Sequence, residues 1–182
     1  MSTEMLIRCC APTMASLKTG NMFNCPFNSR EEMTVELRHL NQVLGRKGLR
    51  VLPLRWNDGH ALVYLFRPKM LEKDLQNDLA SQILNECGYN VSSSAGCVAQ
   101  LITRLRSSRD FPHEVGLFLG YPPADVEGFI HRKNDWKLSG IWKVYDDVAG
   151  AARQFARCRH CTEVYLRCYR RGYSLDRLAV TT

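Results

Sequence analysis

Phe111-Pro112-His113-Glu114-Val115-Gly116-Leu117-Phe118-Leu119-Gly120-Tyr121-Pro122-Pro123-Ala124-Asp125-Val126 is the stretch whose reading decides the fold. Val115–Gly120 is a short apolar run bounded by turn formers, the pattern of a buried strand. Pro122 and Pro123 suit the first turn of a helix, with Asp125 and Glu127 at its positive end. Gly140–Tyr145 is again strand-like. Asp146 or Asp147 then caps a long helix that runs to about Arg171 and closes at Gly172. Strand, helix, strand, helix predicts a βαβ-like C-terminal half with two parallel neighbours.

Toward the N-terminus the patterning differs. Residues 5–27 are rich in small and sulfur-bearing side chains and read as a buried, partly irregular segment, with Pro12 opening a short helix and Gly20 ending it. Asn28 or Ser29 caps a helix whose apolar positions Met33, Leu37, Leu40 and Leu44 recur at helical spacing. Leu49–Arg55 and His60–Arg67 are strands joined at Asn57-Asp58-Gly59, residues that tolerate the positive φ of a tight hairpin. A polar helix or pair of helices follows to Cys87. Ser92-Ser93-Ser94 offers a cap for a helix with the stripe Cys97, Val98, Leu101, Ile102 and Leu105. The expected fold class is mixed α/β: a single domain over residues 1–182, with a mixed sheet of about four to five strands covered by helices.

The chain has 182 residues, 45% hydrophobic and 24% charged, ordinary values for a globular chain and against wholesale disorder. No apolar run approaches the length of a membrane span, and the N-terminus lacks a signal-peptide core. No membrane association and a cytoplasmic location are therefore expected. In that setting the eight cysteines read as free thiols acting as small hydrophobes. The net charge of +7 is carried mostly by residues 101–182. Such an excess keeps a domain soluble and also favours acidic partners.

In α/β sheets, ligands lie outside the carboxyl ends of strands. Tyr121 and Tyr145 end the two strands of the C-terminal half, and Lys143 shares a strand face with Tyr145. A pocket is expected there, closed by the 10–23 segment, with Lys18 and Lys143 neutralising an anion. His113 falls at the other end of its strand, roughly 20 Å from Tyr121 at strand rise. It would be structural or serve a different site. On the final helix Ala151, Phe155, Cys158, Thr162, Tyr165 and Tyr169 form a core stripe, and Arg153, Arg157, His160, Arg167 and Arg171 an opposite cationic ridge. The ridge would meet an acidic partner or simply face water. Its separation from the aromatic residues argues against nucleic acid, which needs stacking platforms beside the charge. Cys158-Arg-His-Cys161 lacks a second ligand pair for a structural metal and sits mid-helix rather than at a helix start, so core packing is its plainer reading. No phosphate loop, dinucleotide fingerprint or hydrolase elbow occurs, and no cofactor is indicated.

Cys10-Ala-Pro-Thr-Met-Ala-Ser-Leu-Lys-Thr-Gly-Asn-Met-Phe23, the Phe111–Phe129 stretch and Trp142-Lys-Val-Tyr145 together resemble a bacterial family catalogued as a domain of unknown function, number 3793. The resemblance spans nearly the whole chain. It implies a cytosolic bacterial protein and supplies no activity. In that family a histidine often precedes the first-motif cysteine; here the position is Cys9. The family pattern points to Cys10, Lys18, His113, Glu114, Tyr121, Lys143 and Tyr145. Three functions follow as expectations. One is binding of a small anionic ligand by Cys10, Lys18, Tyr121, Lys143 and Tyr145, with His113 and Glu114 moving protons if a reaction is catalysed. A second is a redox or metal accessory role for a subset of Cys10, Cys97, His113, Cys158 and Cys161. The third is an adaptor docking an acidic, flavodoxin-like partner on Arg153, Arg157, Arg167 and Arg171.

Overall fold

The computed structural model describes residues 1–107, 110–132 and 134–181. The chain packs as two compact units, Met1–Lys69 with Cys158–Thr182, and Met70–Arg157.

In the first unit, helix α1 (Thr3–Met14) starts at Ser2, whose hydroxyl accepts the Met5 N–H. Pro12 does not open this helix, as the sequence suggests, but lies inside its last turn. There the missing N–H removes one bond and the helix ends within a turn. Strand β1 (Gly20–Pro26) follows, then α2 (Arg30–Gly45), where Ser29 accepts from the Glu32 N–H. Strands β2 (Arg50–Asn57) and β3 (His60–Phe66) form the expected hairpin, turned at Asp58-Gly59 with Gly59 at φ 67°. The sheet is antiparallel throughout, in the order β1-β3-β2. Its central strand is buried from Ala61 to Phe66, which explains why the sequence there is apolar without alternation. Leu6, Ile7, Cys10 and Met14 of α1, Met33 and Leu37 of α2, and Val63 and Leu65 of β3 belong to one core with Cys161 and Leu166. Arg67 is fully buried beside it. Its guanidinium donates to the carbonyls of Thr13, Met14, Lys47 and Val180 at 2.6–3.0 Å, tying three distant segments together.

The second unit holds most of α3 (Pro68–Leu75), then α4 (Asp78–Glu86), α5 (Ser94–Ser107), α6 (Val115–Phe118), α7 (Pro123–His131), β4 (Leu138–Ser139) and β5 (Lys143–Val144). It also holds the start of α8 (Val148–Arg170), whose later turns belong to the first unit. Helix α9 (Leu175–Leu178) closes the chain. The mixed helix-and-strand composition agrees with expectation, but three particulars do not. Val115–Gly120 is a helical turn rather than a strand. Gly120, at φ 73°, ends it with paired bonds, Tyr121 N–H to the Gly116 carbonyl (3.0 Å) and Gly120 N–H to the Leu117 carbonyl (3.1 Å). That is the glycine-terminated helix end, available because a left-handed residue follows a short buried run. Gly140–Tyr145 contributes only a two-residue strand, paired antiparallel with β4. The parallel pair, the βαβ-like half and the single mixed sheet are therefore replaced by two separate antiparallel sheets.

Candidate ligand-binding cavity

Within the second unit Phe111–His113, α6, α7 and the β4–β5 hairpin line a half-open cavity of about 510 Å³. That volume lies in the range of small-molecule sites. The hairpin is held to α7 by one buried carboxylate. Asp125, two residues into the helix, accepts the Trp142 indole N–H on Oδ2 and the Tyr145 backbone N–H on Oδ1, both at 2.7 Å. Tyr121 stacks on Trp142 at 5.0 Å and donates its hydroxyl to the Ile141 carbonyl at 3.2 Å. Trp142 also meets Phe155 edge-on at 4.6 Å. Two glycines make this approach possible. A Cβ on Gly128 would lie 2.5 Å from the Tyr145 ring, and one on Gly140 would lie 2.2 Å from the Phe155 ring.

Val115, Val126, Ile141, Tyr121 and Trp142 give the cavity an apolar wall. Its cation is Lys143, whose amine sits 5.7 Å over the Phe129 ring and 5.3 Å over that of Trp136. Among the described residues no carboxylate pairs with it. His113 lines the same cavity and meets Phe129 edge-on at 5.0 Å. The chemistry available is an apolar slot, a positive charge softened by two aromatic faces, and an imidazole beside it.

The family described as "Protein of unknown function (DUF3793)" matches residues 6–179. The chain belongs to the DUF3793 family. No curated protein and no solved structure matches it. Among the described residues no helix is long and apolar enough to cross a membrane.

In this DUF3793 chain the residues singled out from sequence separate into distinct places. Tyr121, Lys143 and His113 line the cavity together. The extended separation expected between His113 and Tyr121 is shortened because Val115–Phe118 between them is helical, at about 1.5 Å per residue rather than 3.3 Å. Tyr145 is buried against Gly128, under the Arg132 guanidinium at 5.3 Å. Burial raises its phenol, and Arg132 partly offsets this. Glu114 is buried, accepting the Tyr89 hydroxyl at 3.0 Å with Arg104 at 3.6 Å. Burial, with the Glu114 carboxylate acting in the same direction, pushes the Tyr89 phenol far up. Among the described residues no hydrogen bond joins Glu114 to His113, so the two are not assembled as an acid–base pair.

Cys10 and Lys18 lie in the first unit, both buried. Burial lowers the Lys18 amine to about 8, with Cys158 and Cys10 opposing the shift, and raises the Cys10 thiol well above its usual range. A thiol held protonated is a poor nucleophile and a poor metal ligand. Cys97 is buried in α5. Cys158 and Cys161 are buried while His160 is exposed, and burial lifts the Cys161 thiol to about 11. Among the described residues no three His, Cys, Asp or Glu side chains converge as metal ligands. Arg153, Arg157, Arg167 and Arg171 are exposed, with no ion pair among the described residues.

Neither Asp125 as a clasp nor Phe129 and Trp136 as the platform under Lys143 carries a local sequence signal. Asp125 read as a helix-start carboxylate because its partners lie 17 and 20 residues downstream.

Proposed function

We propose that the protein binds a small organic anion in the cavity of its second unit, with an apolar body inside and the charged group at Lys143. The observation that carries this reading is the Lys143 amine on the wall of an apolar cavity, over two aromatic faces and without a carboxylate partner among the described residues. A cation kept at an apolar wall is available to an incoming anion, and such a pair gains strength where water is excluded. The test is a panel of small carboxylates with their uncharged alcohol counterparts, screened against the whole chain by saturation-transfer NMR. Carboxylates bind, and Lys143→Gln weakens them about tenfold, as expected for one charge-assisted contact. Equal binding of the neutral counterparts would refute the anion reading.

A second reading, docking of an acidic protein, is favoured by the exposed arginines Arg153, Arg157 and Arg167 on α8 and Arg171 just after it. It requires binding that falls steeply with ionic strength. None of the eight cysteines forms a disulfide among the described residues, which supports a reducing, cytoplasmic setting for either.

A further inference from the structure

We infer that the ligand's apolar body is a planar aromatic ring system, so that the cavity selects an aryl carboxylate over a straight-chain one. This inference rests on the anion-binding reading of the same cavity. Rings dominate the walls: Phe111, His113, Tyr121, Phe129 and Trp142 all contribute. Most are already engaged with one another. Tyr121 stacks on Trp142, Trp142 meets Phe155, and His113 meets Phe129.

Phe111 is the exception among the wall rings, and Trp136, outside the wall, is a second open ring. They are 45% and 42% exposed, and among the described residues neither has a ring partner. Phe111 lines the cavity, while Trp136 lies under the Lys143 amine. Large apolar rings left open beside an apolar cavity mark a surface that a partner covers. An aryl group supplies the missing ring partners, and each ring contact strengthens binding by about threefold to tenfold beyond simple area burial. The slot is also rigidly built. Asp125 fixes Trp142, and a Cβ on Gly116 would already crowd Val126 at 2.8 Å and Tyr121 at 3.1 Å. A flat ring enters a fixed slot without the rotamer freedom that an alkyl chain must surrender.

The experiment compares naphthoate, octanoate and the neutral naphthylmethanol by isothermal titration with the wild-type chain, Phe111→Leu and Lys143→Gln. Circular dichroism establishes that each variant is folded, and exposed Phe111 makes the leucine variant a mild change. Naphthoate binds at least tenfold more tightly than octanoate, and Phe111→Leu weakens naphthoate threefold to tenfold while leaving octanoate unchanged. Octanoate binding as tightly as naphthoate, or equal weakening of both by Phe111→Leu, overturns the aryl inference and leaves the anion-binding cavity standing. Naphthylmethanol binding as tightly as naphthoate overturns the anion reading instead. Absence of binding by all three compounds at millimolar concentration overturns both.

Discussion

Replacing Asp125 tests the architecture of the cavity directly, because one side chain holds the hairpin to α7. Its two oxygens accept separate 2.7 Å bonds, one from the half-buried Trp142 indole and one from the buried Tyr145 N–H. A hydrogen bond to a charged group contributes about 1.5–3 kcal/mol, and a buried donor left unpaired costs about 1–3 kcal/mol. Asp125→Asn keeps the shape and one acceptor oxygen, but its amide NH2 faces the second N–H donor. It should destabilise the protein by about 2–4 kcal/mol, one lost charged bond plus part of the orphaned donor's cost. Asp125→Ala loses both bonds and should cost about 3–5 kcal/mol, two hydrogen bonds to a charged acceptor at about 1.5–3 kcal/mol each. Trp142→Phe removes the indole donor and part of the ring that meets Tyr121 and Phe155, and leaves Asp125 Oδ2 without its donor. Urea unfolding followed by far-ultraviolet circular dichroism and tryptophan fluorescence gives the three values, and the Asp125–Trp142 double mutant gives their coupling. Values within about 0.5 kcal/mol of wild type for both Asp125 variants, as at an unconstrained surface site, would refute the clasp.

Three further outcomes are expected. The Lys18 amine stands at about 8 when folded against an ordinary 10.5, so between those values the unfolded chain binds more protons and this group's contribution to stability rises with pH. Wild type should therefore gain on Lys18→Met from pH 8 to pH 10.5, by an amount on the order of 3 kcal/mol; an unchanging difference in chemical-denaturation midpoints across that window would count against the burial of this amine. Arg67→Met strands carbonyls of Thr13, Met14, Lys47 and Val180 and should lower stability by about 3–5 kcal/mol, read from urea unfolding, with a loss under 1 kcal/mol contradicting the carbonyl cage. Timed alkylation with mass spectrometry should modify half-buried Cys9, Cys87 and Cys168 first and Cys10, Cys25, Cys97, Cys158 and Cys161 only in denaturant, whereas early labelling of Cys10 or Cys158 would mean the core is open.

Local signals carried much of the N-terminal fold in the sequence itself. Asn57-Asp58-Gly59 fixed a hairpin because a tight two-strand turn needs positive φ at its glycine. Ser29 marked the start of α2, since its hydroxyl satisfies an N–H three residues away. On α8 the buried Ala151, Phe155 and Cys158 and the exposed arginine face were likewise readable from helical periodicity, whereas the later turns bury Cys161 and Leu166 and leave Thr162, Tyr165 and Tyr169 half-buried. Val115–Gly120 was not readable in this way. A run of buried apolar residues that short fits a strand or a helical turn equally, and the choice fell to the Gly120 end, where backbone bonds reach back to Gly116 and Leu117. That choice decided the site. Coiling the segment brought His113 and Tyr121 to one cavity, and the hairpin replaced a parallel strand because Asp125 found its partners at Trp142 and Tyr145. Cys10 and Lys18 shared apolar surroundings with the cavity residues in sequence but went to the other unit. Composition and periodicity act over one or two turns of chain and so determined the elements. Which side chains met across tens of residues was determined by packing and by the buried carboxylate's need for two donors, which only the folded chain supplies.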